Sequence, residues 1–210
     1  MKNIIHQTLN LPHEAPVMAL PNALLLPSAL LPLYIFEERY RLMLQHTLQT
    51  NRLFCVALMK PGISDAQSAD DLFQIAGLGL VRACVNNDDG TSHLILQGLA
   101  RVEMIDFVQE EPFRIARIRE VRSEVPNLIE AEALSAKVVE LCKRLREQGH
   151  EISAKLERNL QFLTNPEVLA DVVTNVFVAD VLERQYILEQ PLVSERLRML
   201  IRYLHEREKK

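Results

Sequence analysis

A change of hydrophobic period near Pro126 constrains this chain more than any other feature. Before that point, apolar residues come in short runs separated by turn signals; after it, they recur at helical spacing. Residues 17–20 lie between Pro16 and Pro21, and residues 30–36 hold Pro32 near their start. Residues 53–59 form a continuous apolar run that ends at Lys60-Pro61-Gly62. Two longer runs, 75–85 and 92–105, flank Asn86-Asn87-Asp88-Asp89-Gly90. That segment is a hairpin signal, because Asn, Asp and Gly tolerate the positive φ of tight turns. Residues 113–121 give a last strand. Its apolar positions, Phe113, Ile115, Ile118 and Val121, change phase midway; a β-bulge would explain that, and period alone does not exclude a helical turn. One helix interrupts the strands: residues 37–50 place Tyr40, Leu44 and Leu48 on one face.

Past Pro126 the pattern is helical throughout. Asn127 and Glu130 have the spacing of a capping box, and Leu134, Val138, Leu141 and Leu145 follow along one face until Gly149. Residues 152–163 read as a second helix. Asn165-Pro166-Glu167 combines an N-cap, a proline suited to the first helical position and an acid in the first turn. Val168, Leu169, Val172, Val173 and Val176 then supply its apolar face. Asp180 with Glu183 marks a further start. Ser194 is expected to cap a last helix with Leu197, Leu200, Ile201 and Leu204 inward. The fold class is therefore α+β, with a β-rich domain over 1–126, an α-helical domain over 127–210, and a linker short enough for the two to touch.

Charge and cysteine content narrow the function classes. Basic and acidic side chains number 24 and 28, and the two parts carry nets of −3 and −1. Neither is a basic platform, which argues against a nucleic-acid partner. The local exception is Arg114, Arg117, Arg119 and Arg122, read as a solvated strand face because Glu110, Glu111, Glu120 and Glu124 stand beside it. Cys55, Cys84 and Cys142 are far apart in apolar stretches and form no CxxC, so buried reduced thiols are expected. No apolar run is long enough to span a bilayer. The first ten residues have no apolar stretch of the secretory type, and a cytoplasmic address follows by default.

The sequence carries none of the common catalytic signatures. There is no GxxxxGK[ST], no GxSxG and no HExxH. Gly77-Leu78-Gly79 meets Arg82 where a dinucleotide fingerprint needs its third glycine, so glycines packing a strand pair are the better account. The six histidines form no ligand pair at helical spacing, and Glu37-Glu38 are adjacent in sequence without facing each other on a helix. No metal, no cofactor and no catalytic residue is assigned.

One stretch carries identity: Leu20-Pro21-Asn22, then Leu31-Pro32-Leu33-Tyr34-Ile35-Phe36-Glu37-Glu38-Arg39-Tyr40-Arg41. It resembles the opening signature of the N-terminal domain of Lon protease. Residues 77–83 sit where that family has a Gly-led strand, and Leu94 to Val102, with Gly98 and Arg101, is similar to its Gly–Arg strand. Asn165 to Asp171 resembles its helix start, and Glu195-Arg196-Leu197 its last helix. The resemblance implies a PUA-like β pseudo-barrel with one inserted helix, followed by an α-helical bundle. It further implies a region that recognises polypeptide substrates for an ATPase and a Ser-Lys protease. A chain of 210 residues is expected to lack both engines.

The expected function is a non-catalytic polypeptide-binding module, substrate-recognising or adaptor in kind. Its partners would be unfolded or extended polypeptide and an ATPase-protease, with no membrane. A PUA-like nucleic-acid or nucleotide-binding module is the alternative, supported by the arginine cluster alone. Candidate binding residues are Phe36, Glu37, Arg39, Tyr40 and Arg101. Phe36 is expected to pack as a staple at the helix start, and Arg39 and Arg101 each to pair with a carboxylate across the barrel. Tyr40 is expected to bury its ring and to need a partner for its hydroxyl.

Overall fold

The structure is a computed structural model and describes residues 11–148, 159, 160 and 162–209. Six strands come first: β1 (Glu14–Leu20), β2 (Leu30–Ile35), β3 (Leu53–Leu58), β4 (Ile75–Asn86), β5 (Ser92–Gln109) and β6 (Arg114–Glu120). Helix α1 (Glu38–Gln49) is inserted between β2 and β3. Then come α2 (Leu128–Glu147), α3 (Pro166–Phe177), α4 (Val181–Glu189) and α5 (Val193–Glu208). This is the expected α+β class, with a barrel-like sheet followed by helices.

The sheet runs β2-β5-β4-β3-β1-β6, and β6 pairs again with the far half of β5. That second pairing closes β5, β4, β3, β1 and β6 into a ring. β2 is left outside it, the one strand among the described residues with a single partner. All pairings are antiparallel except β1 with β3, where Val17 faces Cys55.

Both faces of the sheet are buried in its central part, around β3 and β1. Val17, Cys55, Ala57, Leu78, Val102 and Ala116 point to one core, and Met18, Phe54, Val56, Val81 and Leu96 to a second, which Tyr40, Met43 and Leu44 of α1 join. Two-sided burial explains the unbroken apolar run of β3, since a strand covered on both faces has no polar side to show. It also explains the phase change in β6. Phe113 and Ile115 serve the second core, and Ala116 and Ile118 the first. The bulges that accompany β6 lie in its partner instead. Register shifts between Met104/Asp106 and between Phe107/Gln109 insert Ile105 and Val108 into β5. Both protrude to solvent.

The glycines of β4 and β5 accept a third element, not just each other. The chain at residues 24–29 crosses the sheet so closely that a Cβ on Gly77 would overlap the Leu25 carbonyl, and one on Gly98 the Leu26 carbonyl. Gly98 N–H donates to Ala29 O (2.9 Å), and Ser28 N–H donates to Gly98 O (3.0 Å). The hairpin between β4 and β5 closes as expected, with Gly90 at φ +81° and Asn87 N–H donating to Thr91 O (2.9 Å).

Helix starts follow their capping residues. Asn127 Oδ1 accepts from Glu130 N–H (3.1 Å), Asn165 Oδ1 from Glu167 N–H (2.9 Å), and Asp180 Oδ1 from Leu182 N–H (2.8 Å). The last helix departs from expectation. It begins at Val193, with Leu192 at the cap position and Ser194 already inside the first turn. Its first N–H needs no side-chain cap, because Val193 N–H donates to Glu124 O (3.0 Å) and Glu124 N–H to Pro191 O (2.9 Å). The linker thus supplies the cap. The helical core joins Leu141, Leu145, Leu169, Val173, Leu197 and Leu200. The stop at Gly149 and most of the expected helix over 152–163 lie outside the described residues.

Candidate functional site

Three places hold the chemistry: the corner between β2 and α1, the outward face of β2, β5 and β4, and the junction between strands and helices.

The corner gathers four of the five candidate residues. Glu37 ends β2's extension and starts α1 through its backbone, its carbonyl accepting Arg41 N–H (2.9 Å). Its carboxylate takes Arg39 Nε–H (3.0 Å), and Arg39 Nη1 reaches Asp65 Oδ1 (3.1 Å). The Arg39 guanidinium also lies 4.8 Å from the centre of the Tyr40 ring. Tyr40 is buried; its hydroxyl donates to Ala19 O (3.0 Å) and accepts from Ala19 N–H (3.3 Å), tying α1 to β1. Burial pushes its phenol above the ordinary range. Phe36 departs from expectation. Its ring is 58% exposed and stacks on Tyr34 at 5.8 Å, so it does not staple the helix start. Arg39 likewise finds its carboxylates at the helix cap and in the 65–67 loop, not across the barrel.

Beside the corner lies a groove of about 490 Å³ between the first turn of α1, the loop at 65–67 and the loop at 110–114. Arg114 closes one side by donating to Ala66 O (2.6 Å). The remaining arginines of the cluster are neutralised locally. Arg117 pairs with Asp106 (2.9 Å), Arg119 with Glu103, and Arg122 with Glu120 (2.8 Å). Two of those three carboxylates come from β5, a pairing that sequence proximity did not reveal.

The outward face of β2 continues from Phe36. Tyr34 stacks on Phe36 and, at 4.7 Å, on His93 of β5. Leu30, Pro32 and Tyr34 share this face with Ile95 of β5 and with Ala83 and Val85 of β4. Leu30 (61% exposed), Tyr34 (49%) and Val85 (65%) are open to solvent. A shallow depression of about 420 Å³ here is lined by residues 32–34, 83–85 and 93–95, none of them Asp, Glu, Lys or Arg. Pro32 also defines the free edge. Gly98 N–H donates to Ala29 O, so three residues on, Pro32 occupies a ladder position whose nitrogen points away from β5. The missing N–H is missing from the open edge, which blunts it against indiscriminate strand pairing. Of this face, sequence reasoning singled out only Phe36. The signal was the unbroken apolar run at 30–35, which implies apolar residues on both faces of a strand.

Cys84 borders the same depression and is half-buried, a departure from the expectation that all three thiols are buried. Cys55 and Cys142 are fully buried, and desolvation pushes both thiols up to about 12.

Arg101, the fifth candidate, lies apart from the other four. It extends from β5 into the junction and pairs with the helical part, not across the barrel. Its Nη1 donates to Asp171 Oδ2 (3.1 Å), its Nη2 to Asp171 Oδ1, and its Nε to Leu188 O (3.1 Å). Arg196 Nη1 reaches the same Asp171 Oδ1 (3.2 Å). Arg101, Asp171 and Arg196 are all at most 2% exposed. Desolvation lowers the Arg196 guanidinium to about 10, and it pushes the Asp171 carboxyl up against the pull of both arginines.

This geometry sits in a fold already seen in solved proteins. The fold is that of solved Lon N-terminal domains. The N-terminal domain of the Mycobacterium avium complex Lon protease superposes with a TM-score of 0.75 at 16% identity, covering 92% of this chain and 98% of that one. A Lon N-terminal domain protein from Xanthomonas campestris gives 0.63 at 16% identity, over 90% and 96%. Residues 14–206 match the ATP-dependent protease La (LON) substrate-binding domain, and the chain belongs to that family. Lon protease of Dictyoglomus thermophilum is 26% identical over 200 residues, 95% of this chain and 25% of that protein. Lon protease of Desulfosudis oleivorans is 27% identical over 198 residues, 93% and 24%. The chain therefore spans about a quarter of the length of these relatives, the part that matches the substrate-binding domain. Among the described residues, no helix is long and apolar enough to cross a membrane.

Proposed function

We propose that this chain is a non-catalytic polypeptide-recognition module that docks extended apolar segments of unfolded proteins on the outward face of β2, β5 and β4. The observation that carries this reading is the uncharged face of Leu30, Pro32, Tyr34, Phe36, Val85, His93 and Ile95, with its stacked rings open to water. A contiguous apolar surface of this kind marks an interaction site, and family membership supplies the partner class. Phe36, Glu37, Arg39 and Tyr40 build the corner that holds β2 in place. Only Phe36 of the four touches the docking face. Arg101 acts at a distance by fixing the sheet to the helices. Residues 1–126 and 127–210 are the two domains of this reading, an ATPase-protease is the partner that would receive the polypeptide, and the address is cytoplasmic. The arginine cluster gives a nucleic-acid reading little support, because three of its four charges are paired with neighbouring carboxylates and Arg114 is turned to the Ala66 carbonyl.

Crosslinking of the full chain to a permanently unfolded model polypeptide tests the proposal. A Tyr34→Asp/Val85→Asp variant places two desolvation-resistant charges in the face and is expected to lose about tenfold or more in capture, since each buried charge opposes docking. Capture that is unchanged in this variant while circular dichroism shows a native fold would refute the assignment of the face.

A further inference from the structure

We propose that the Arg101–Asp171–Arg196 cluster is an orientation lock that sets the angle between the sheet and the helices, rather than the source of their cohesion. The apolar cores lie on either side of it. Among the described residues, the helical core draws only on residues from Ala131 onward, and the two sheet cores only on residues up to Ile118. The apolar contact between them is smaller: Leu24, Leu26, Ala29 and Leu58 against Leu188, with Phe73, Ile75, Val181 and Leu182 at its margin. Apolar burial is non-directional, so a patch of this size, pinned by one hydrogen bond from Gln185 Nε2 to Ile75 O (2.9 Å), tolerates rotation of one layer about that point.

The ion cluster does not. Five parts of the chain converge on it with fixed geometry. Arg101 comes from β5, Asp171 and Glu167 from α3, Arg196 from α5, the Leu188 carbonyl from α4 and Ser123 from the linker. Arg101 grips Asp171 with two parallel N–H donors, the arrangement that fixes direction as well as distance. Ser123 Oγ accepts from Arg196 Nη2 (2.5 Å) and donates to Glu167, so the linker is held by both signs of charge. The cluster is poorly built for stability alone. Arg196 Nε has no hydrogen-bond partner, and burial lowers that guanidinium. Buried ion clusters can often be exchanged for apolar residues of similar volume without loss of stability. What such an exchange removes is direction.

The test uses the full chain. In Arg101→Met/Asp171→Leu/Arg196→Met every charge of the triad is replaced by a side chain of similar bulk. Backbone residual dipolar couplings of the native protein are expected to fit one alignment tensor across sheet and helices. In the triple variant, the denaturation midpoint is expected to stay close to the native one while the two sets of couplings require separate tensors. A single common tensor in the folded triple variant overturns the proposal. If the triple variant does not fold, Arg101→Lys decides, because it keeps all three buried charges and removes the paired donors that fix direction. Divergent tensors there support the lock, and one tensor overturns it.

Discussion

Arg39 and Arg101 are the same residue type, both belong to the stretches that carry the family resemblance, and both pair with carboxylates. Their settings are opposite. Arg39 lies at an open corner, 37% exposed, and answers Glu37 and Asp65, which are themselves solvated. Arg101 is closed into the junction, 1% exposed, against an equally buried Asp171. Water sets the worth of the first pair and protein sets that of the second. Exposed pairs gain little over hydration, whereas a buried charge that loses its partner has nowhere to turn. Residue type and motif position therefore name both arginines but cannot rank them.

The comparison breaks most visibly at Asp171. Asp171→Asn keeps the shape of the side chain but leaves Arg101 and Arg196 facing each other without a counter-charge at their centre. We expect a loss of about 3–5 kcal/mol, the range for an orphaned buried ion, read as a fall in the urea midpoint. A loss under about 1 kcal/mol would place the junction in the same class as the exposed corner.

A second, uncharged contrast sharpens the same point. Gly98 and Gly90 are both glycines of the β4–β5 unit, but Gly90 is needed for its positive φ and Gly98 for its missing side chain. Gly98→Ala would press a methyl into the Leu26 carbonyl and lift residues 24–29 off the sheet. Overpacking of this kind costs about 1–3 kcal/mol. Because Leu24 and Leu26 also face Leu188, hydrogen exchange is expected to accelerate in α4 as well as in β5. Acceleration confined to β5 would show that the crossing segment does not carry the junction.

Much of the fold could be read from local pattern, because turns, caps and strand runs are local. The hairpin at 86–91, the caps at Asn127, Asn165 and Asp180, and the helix after Phe36 all followed from a few adjacent residues. What escaped was set by partners distant in sequence. The phase change in β6 reads as a bulge until a second core explains it. Ser194 reads as a cap until Glu124, some seventy residues earlier, is seen to satisfy Val193 N–H. The carboxylate of Arg101 lies 70 residues away, in a helix, where no spacing rule reaches. The docking face escaped for another reason. Apolar residues on a strand point to a core in any reading of period, and only the sheet order, with β2 outermost, turns half of them to water.

The smallest effect is expected at Arg39. Arg39→Ala removes two solvated ion pairs and a guanidinium that lies against the Tyr40 ring, but the Tyr40 hydroxyl keeps both of its bonds to Ala19. The corner is thus held by a buried aromatic ring and two backbone contacts, with the arginine outside them. We expect a stability change below about 1 kcal/mol, the range for exposed pairs, and one that shrinks further in high salt because solvated charges are screened. Polypeptide capture should be unaltered, since Phe36 and Tyr34 keep their stacking when Arg39 is gone. A loss of capture with native stability would move Arg39 from the scaffold of the docking face into the face itself.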